Sequence, residues 1–148
     1  MKIAQKQPLP SHLLPRHIWA LLAVYFVASL AHFAHNAEFI AYYPNMPPWI
    51  TRETVYLAWL AVCSLGVAGL VACRLGWPAI GAMLLAAYGA MGLDGLLHYT
   101  LALCSEHTLT TNLTIWFEVI AGSLLAGAGV RLMVKMASGA HRTCASSY

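Results

Sequence analysis

The sequence predicts an all-α polytopic membrane protein, a four-transmembrane-helix bundle with its N and C termini in the cytoplasm. Three observations support this fold class. Hydrophobic residues make up 60% of the 148 residues and charged residues only 9%, whereas a soluble domain carries about 25% charged residues. The apolar residues form four stretches, each near the length of about 20 residues that a bilayer crossing needs. The basic and acidic residues separate to opposite ends of those stretches.

The chain is predicted to form a single membrane domain, because its length leaves no room for a second one and no internal repeat is visible. Residues 1–16, with three prolines, form a cytoplasmic lead-in. A secretory signal peptide is the rival interpretation of the first apolar stretch. That stretch is long, however, and its polar residues continue the helical phase. The predicted spans cover about residues 17–39, 54–73, 77–103 and 112–136, and residues 137–148 form a flexible cytoplasmic tail.

Local signals mark the ends of the predicted spans. The stretch "YYPNMPPW" follows the first span, and its three prolines exclude helix continuation. Its aromatic rings suit the headgroup level of a membrane. Thr51 is placed to start the second helix, Gly76 to end it, and Pro78 to lie in the first turn of the third. The third span also contains small residues that let helices approach closely: Gly81, Gly89, Gly92 and Gly95.

The distribution of charge predicts the orientation. Cytoplasmic loops carry an excess of Lys and Arg, and seven of the eight basic residues fall on the side of the termini, with only Arg52 opposite. All five acidic residues fall on the other side, so the net charge of +3 reflects topology. Nucleic acid is therefore not an expected partner, and the bilayer is. The compact loops favour a bacterial inner (cytoplasmic) membrane.

Ionisable residues of three spans are predicted to share one layer of the membrane. His32 and His35 lie near the end of the first span, Asp94 and His98 near the end of the third, and Glu118 about two turns into the fourth. All five belong to the outer half of the bundle. Because a charge in hydrocarbon costs several kcal/mol unless it is paired or hydrated, these side chains are expected to converge on the bundle interior.

The spacing of these residues is compatible with a metal site. Asp94 and His98 are four residues apart and share a face of an α-helix. Imidazole suits Zn, Fe and Cu, and carboxylate adds a harder ligand, and bundle metal sites use inward side chains of facing helices. The spacing matches no metal fingerprint such as HExxH. We predict a divalent transition metal, Zn or non-haem Fe with Cu also compatible, and these ligands: His32, His35, Asp94 and His98.

The first functional hypothesis is a metal-dependent enzyme acting on a lipid-like or small apolar substrate. Glu118 is its catalytic acid or base, and Glu38 at the rim is the second candidate. Each residue also has a structural interpretation, because a lone intramembrane histidine usually hydrogen-bonds a neighbouring helix. Asp94 can simply pair with His98. Several others are expected to be solvated or to fall at the wrong end of the bundle: Glu53, Glu106, His107, His12, His17 and His141.

Three other functions remain open. A haem-binding cytochrome would use His32 or His35 facing His98, with the glycine-rich third span making room for the macrocycle. An accessory subunit of a larger membrane complex, or a homo-oligomer, would fit the small loops. A metal-free acid–base or ligand-binding pocket is the third. Four spans with polar groups near one end, and the loop Pro47–Trp49, resemble the sterol-isomerase and sigma-2-receptor superfamily. The acidic positions of that family do not map onto this sequence, so the resemblance assigns no residue role.

Overall fold

The structure is a computed structural model that describes residues 14–145, with side chains described for residues 14–138. His12, His141 and Cys144 lie outside the described side chains, as does most of the predicted lead-in. Residues 14–145 form helices and turns without a strand. Within them, four helical stretches are long and apolar enough to cross a membrane. The prediction of an all-α chain with four apolar spans is confirmed, and the orientation of the termini stays a prediction.

Five α-helices and three short 3₁₀ segments make up the described chain. The four candidate spans run over Arg16–Glu38, Arg52–Arg74, Pro78–Leu101 and Leu109–Ser138. In chain order the elements are α1 (Arg16–Glu38), a 3₁₀ turn (Ile40–Tyr42), α2 (Arg52–Arg74), α3 (Pro78–Ala90), a 3₁₀ segment (Met91–Leu97), α4 (His98–Leu101), a 3₁₀ turn (Cys104–Glu106) and α5 (Leu109–Ala145).

Local chemistry explains where α2 begins and ends. Thr51 precedes the helix, and its hydroxyl accepts the backbone N–H of Thr54 at 3.3 Å, while the Thr54 hydroxyl accepts the N–H of Thr51 at 2.8 Å. This reciprocal cap satisfies two donors that a helix start leaves free. After α2, Gly76 has a φ of +84°, the left-handed conformation that glycine adopts without strain. Pro78 then occupies the first turn of α3.

The third span is not the continuous α-helix that its apolar pattern predicts. α3 ends at Ala90, and Met91–Leu97 winds as a 3₁₀ helix before α4 begins at His98. The segment lies against the other spans, because a Cβ at Gly92 would lie 2.9 Å from a ring carbon of Tyr25 and 3.0 Å from the Glu118 carbonyl oxygen. In a 3₁₀ helix, with three residues per turn, two residues four positions apart differ by about 120° around the helix axis. In an α-helix the same two residues differ by about 40°. Asp94 and His98 therefore do not share the face predicted for them.

The bundle packs α5 against α1 and α3, and α2 against α3, with α1 and α2 also in contact. Its core contains Tyr25 and Leu125, both 0% exposed, together with Leu85. Large apolar side chains cover the outside of α2 and α5, the surface that an integral membrane protein presents to lipid. We call the end of the bundle that carries loops 39–51 and 102–108 the loop end.

The tightest contact between spans gives a stability prediction. A Cβ at Gly89 of α3 would lie 2.6 Å from both the Ala126 nitrogen and the Gly122 carbonyl oxygen of α5. Because backbone atoms cannot move aside cheaply, Gly89→Ala should lower the free energy of unfolding by about 1–3 kcal/mol. Thermal unfolding in mild detergent, followed by far-UV circular dichroism, measures this loss. The matched control is Gly127→Ala, where no atom lies within 4 Å; equal melting temperatures for the two variants would contradict the packing.

Candidate functional site at the loop end

A row of buried polar residues lies along one face of α1. Tyr25, Ser29, His32 and Asn36 follow one another at spacings of four, three and four residues, which places them on a single helix face. They are 0%, 0%, 2% and 7% exposed, respectively. His32 on this face meets Glu118 and Thr114 of α5. The row therefore brings polar atoms into the interior of an otherwise apolar bundle.

The side-chain amide of Asn36 joins two histidines from different spans. Its Nδ2 lies 3.0 Å from His32 Nε2 and 3.1 Å from His98 Nε2. An amide NH₂ has two N–H groups, so Asn36 donates one hydrogen bond to each imidazole. The Nε2 lone pairs of both rings are thus directed at the same amide, and the ring centroids lie 5.3 Å apart.

The second nitrogen of His32 is held by α5. His32 Nδ1 lies 3.4 Å from the Thr114 hydroxyl oxygen. That hydroxyl donates its own hydrogen to the carbonyl of Thr111 at 2.9 Å, so its oxygen is available to accept the Nδ1–H of His32. The contacts on both sides define one tautomer, with the proton on Nδ1 and the lone pair on Nε2.

Glu118 is the most completely buried charged residue of the described chain, at 0% exposed. Its Oε2 lies 3.6 Å from His32 Nε2, and neither carboxyl oxygen has a hydrogen-bond partner among residues 14–138. Gly95 leaves room for this pair, because a Cβ there would lie 3.5 Å from Oε2 and 3.7 Å from His32 Nε2. Polar groups left unpaired inside a fold are expected at functional sites.

Aromatic and imidazole rings of both loops surround His98. The Tyr43 ring lies 5.0 Å and the His107 ring 6.1 Å from it, measured between centroids. His107 is 8% exposed, and its Nε2 lies 3.4 Å from the His98 carbonyl oxygen. The expectation that His107 is a solvated loop residue is therefore wrong. The Tyr43 hydroxyl forms a 2.7 Å hydrogen bond with His35 Nδ1. The His35 ring is therefore directed at the first loop and not at His32.

Two predicted site residues remain, Asp94 and Glu38, and only the first of them lies near the cluster. Asp94 reaches the same region as His98, but its Oδ1 is buried and has no hydrogen-bond partner among the described residues. Glu38 lies away from the cluster. Its Oε1 forms a 2.8 Å ion pair with Arg52 and accepts the Tyr56 hydroxyl at 2.8 Å, with both partners of the ion pair largely exposed. Of the predicted site residues, the structure thus brings His32 beside both His98 and Glu118, with Asp94 in the same region.

A cavity of about 420 Å³ lies beside this cluster. Its walls are mostly apolar and come from α1, α2, loop 46–50 and the third span. α2 packs much more closely on α3 than on the 3₁₀ segment that follows α3, and residues of α2 and of that segment line the cavity from two sides. The polar side chains in its lining are His32, Asn36, Thr54, Asp94, His98 and Thr100.

The predicted metal site is not assembled in this arrangement. Among the described residues, no group of three or more His, Cys, Asp or Glu side chains is placed to hold a metal ion. Two contacts and one backbone feature explain this. The Asn36 amide lies between His32 and His98, and His35 is hydrogen-bonded to Tyr43. The 3₁₀ geometry places Asp94 on a different face from His98. Metal binding by this protein stays a prediction.

Comparisons with protein-family models, with curated proteins and with solved structures find no match to this chain. The function of the protein is therefore inferred from the geometry of the loop end. Asn36, Tyr43 and His107 belong to that geometry beyond the predicted set. The spacing of Asn36, four residues after His32, was a usable signal. Tyr43 and His107 had none, because their positions depend on the path of the two loops.

Removal of the shared amide should destabilise the fold. Asn36→Ala leaves two imidazole nitrogens without their donor, and one unpaired buried group costs about 1–3 kcal/mol. We expect a loss of free energy of unfolding in that range, measured by denaturant unfolding in detergent. In a His98→Ala background one acceptor is already gone, so the same substitution should cost less. An equal loss in both backgrounds would show that Asn36 does not bridge the two rings.

Tyr43, outside the candidate spans, gives a prediction about pH. Burial raises the pKa of the Tyr43 phenol from 10.0 to about 12, and the Thr111 side chain offsets only part of this. The unfolded chain releases the phenol proton first, so the stability present below pH 10 is lost as the pH rises toward about 12. Tyr43→Phe should remove this part of the alkaline loss. Unfolding free energies measured across that window test it; identical slopes for the wild type and the variant would refute it.

Proposed function

We propose that this integral membrane protein is an acid–base enzyme that binds a lipid-like or small apolar substrate in the loop-end cavity and moves a proton at a polar group of that substrate. One observation carries the proposal. His32 and His98 line a mostly apolar cavity of about 420 Å³, and the buried Glu118 carboxyl lies 3.6 Å behind His32. Concave apolar pockets with a few convergent polar groups are the usual form of small-molecule sites.

Each residue of the cluster has a distinct role in this proposal. His98 and His32 are the groups that exchange a proton with the substrate, because imidazole is the most frequent general acid or base and both rings reach the cavity. Glu118 stabilises the imidazolium that forms when His32 accepts a proton. Asn36 is a positioning residue: rotation of its amide replaces the donated N–H with Oδ1, which then accepts the new Nε2–H.

A metal-dependent version is the second candidate, and one observation favours it. Two Nε2 lone pairs converge on a single point, the Asn36 nitrogen, at 3.0 and 3.1 Å. If the Asn36 amide turned away, a cation near that point would find two imidazoles, with the carboxylate of Glu118 beside them. Two histidines and one carboxylate are a ligand set used by non-haem Fe, and three protein ligands also suit catalytic Zn. This set differs from the predicted one by omitting His35 and Asp94.

The other functions have less support. Haem would require the rings of His32 and His98, now 5.3 Å apart with Asn36 between them, to separate around a macrocycle. An accessory subunit would use the outward apolar faces, which contact with lipid already explains. We further propose that the chain resides in a bacterial inner membrane, with the loop end toward the outer side.

The function is tested by lipid turnover. Membranes of cells that express the wild type, His32→Gln, His98→Gln or Glu118→Gln are extracted and compared by chromatography with mass spectrometry, which also separates isomers. A substrate consumed by the wild type should persist in all three variants, with turnover reduced about 100-fold or more. His17→Gln, at an exposed position of α1 far from the cluster, is the matched control. Identical lipid profiles for the wild type and all variants would overturn the enzymatic proposal.

Elemental analysis of the same purified proteins separates the two candidates. Stoichiometric Zn or Fe in the wild type, lost in His32→Gln, would support the metal-dependent version. Metal-free protein with full turnover would exclude it and leave the acid–base version.

A further inference from the structure

We infer that the loop-end cavity selects a small molecule that has one apolar part and a hydrogen-bond-donating head group, an alcohol or an amine. This molecule enters laterally from the bilayer, between α2 and the third span. The inference rests on the proposed function of the same cavity and names its substrate class. It depends on which polar atoms of the lining are free, which charges are absent from it, and where the wall is open.

The Asp94 carboxyl is the acidic acceptor of the cavity lining, and its buried Oδ1 has no hydrogen-bond partner among the described residues. Donors are fewer, because both N–H groups of the Asn36 amide serve the two histidines. Since His98 accepts at Nε2, its Nδ1–H is the imidazole donor that the lining keeps. The hydroxyls of Thr54 and Thr100 donate to the carbonyls of Thr51 and Leu97 at 2.8 and 2.7 Å. A ligand that supplies an N–H or O–H group would satisfy the Asp94 carboxyl.

The lining also lacks a permanent cation. None of the residues around the cavity is Lys or Arg. Arg52, at the start of α2, forms its ion pair with Glu38 at 2.8 Å. A carboxylate or phosphate head would therefore be buried without a counter-charge and beside the Asp94 carboxyl, which is strongly unfavourable. The cavity should reject fatty acids and phospholipids.

The size and the opening of the cavity define the rest of the ligand. At about 420 Å³ it lies in the lower part of the range of ~300–1,000 Å³ for small-molecule pockets, so it suits one apolar body. Asn45 donates a 2.8 Å hydrogen bond to the Leu101 carbonyl oxygen, which ties the first loop to the end of the third span. The exposed side chains of Trp49 and Leu97 border the cavity on the side where α2 leaves the 3₁₀ segment.

The probes for the test share one apolar body: decan-1-ol, decylamine and decanoate, each brominated at the chain end to quench tryptophan fluorescence. The full-length protein is reconstituted in nanodiscs, and the quenching that Trp49→Phe abolishes is assigned to Trp49 at the cavity rim. The alcohol and the amine should quench saturably, and decanoate should bind at least about tenfold more weakly. Equal binding of all three probes would overturn the inference.

Variants of the lining test the reason for this selectivity. Asp94→Leu should weaken the binding of the alcohol and of the amine until their affinities approach that of decanoate. Thr100→Lys adds a cation at an exposed position of the lining and should instead strengthen the binding of decanoate. Ala58→Phe should fill the cavity and abolish binding, whereas the lipid-facing neighbour, Leu57→Phe, should leave it unchanged. Quenching that survives Ala58→Phe would show ordinary partition into the bilayer and refute a site.

The outcomes for function and selectivity are separable. Selective binding without any change in lipid profiles would leave a binding protein, so the enzymatic proposal would fail and the selectivity would stand. Turnover of an acidic or phosphorylated lipid would overturn the selectivity and leave the enzyme.

Discussion

The loop end depends on one contact, the amide of Asn36 shared between His32 and His98. It joins α1 to the far end of the third span within the buried polar cluster of the loop end. It also orients both imidazoles, because each ring must present a lone pair to the amide. The remaining amide oxygen is left buried without a partner among the described residues. A single side chain thus provides the link between two spans and the orientation of two rings.

Close backbone approach makes the burial of Glu118 beside His32 feasible. Gly92 brings the third span to within contact of Tyr25 and of the Glu118 backbone, and Gly95 faces the carboxyl and the imidazole without a side chain. A Cβ at Gly92 would lie about 3 Å from Tyr25 and from the Glu118 carbonyl oxygen and would force the spans apart, whereas a Cβ at Gly95 would reach only ordinary contact with the carboxyl and the imidazole. Gly92 therefore provides the close approach beside which the Glu118 carboxyl is completely buried.

Much of the fold could be predicted from composition, and part of the site from depth. Four apolar stretches, Gly76 and Pro78 define the spans and one turn, and the common depth of His32, His98 and Glu118 anticipates their approach. The rest depends on tertiary structure. The hydropathy of residues 91–97 does not distinguish a 3₁₀ helix from an α-helix. The partners of Glu38 come from the next helix, and the burial of Tyr43 and His107 follows from loop paths that no periodicity encodes.

The 3₁₀ segment has two consequences that are tied together. It turns Asp94 away from the face that an α-helix would share with His98, and its residues form one wall of the cavity whose opposite wall comes from α2. A continuous α-helix through residues 91–97 would instead align Asp94 with His98, as the sequence predicts. With residues 91–97 in the 3₁₀ form, the imidazoles of His32 and His98 converge on the Asn36 amide, and the carboxyl of Glu118 lies beside His32, so the acid–base and the metal-dependent candidates compete for the same three side chains.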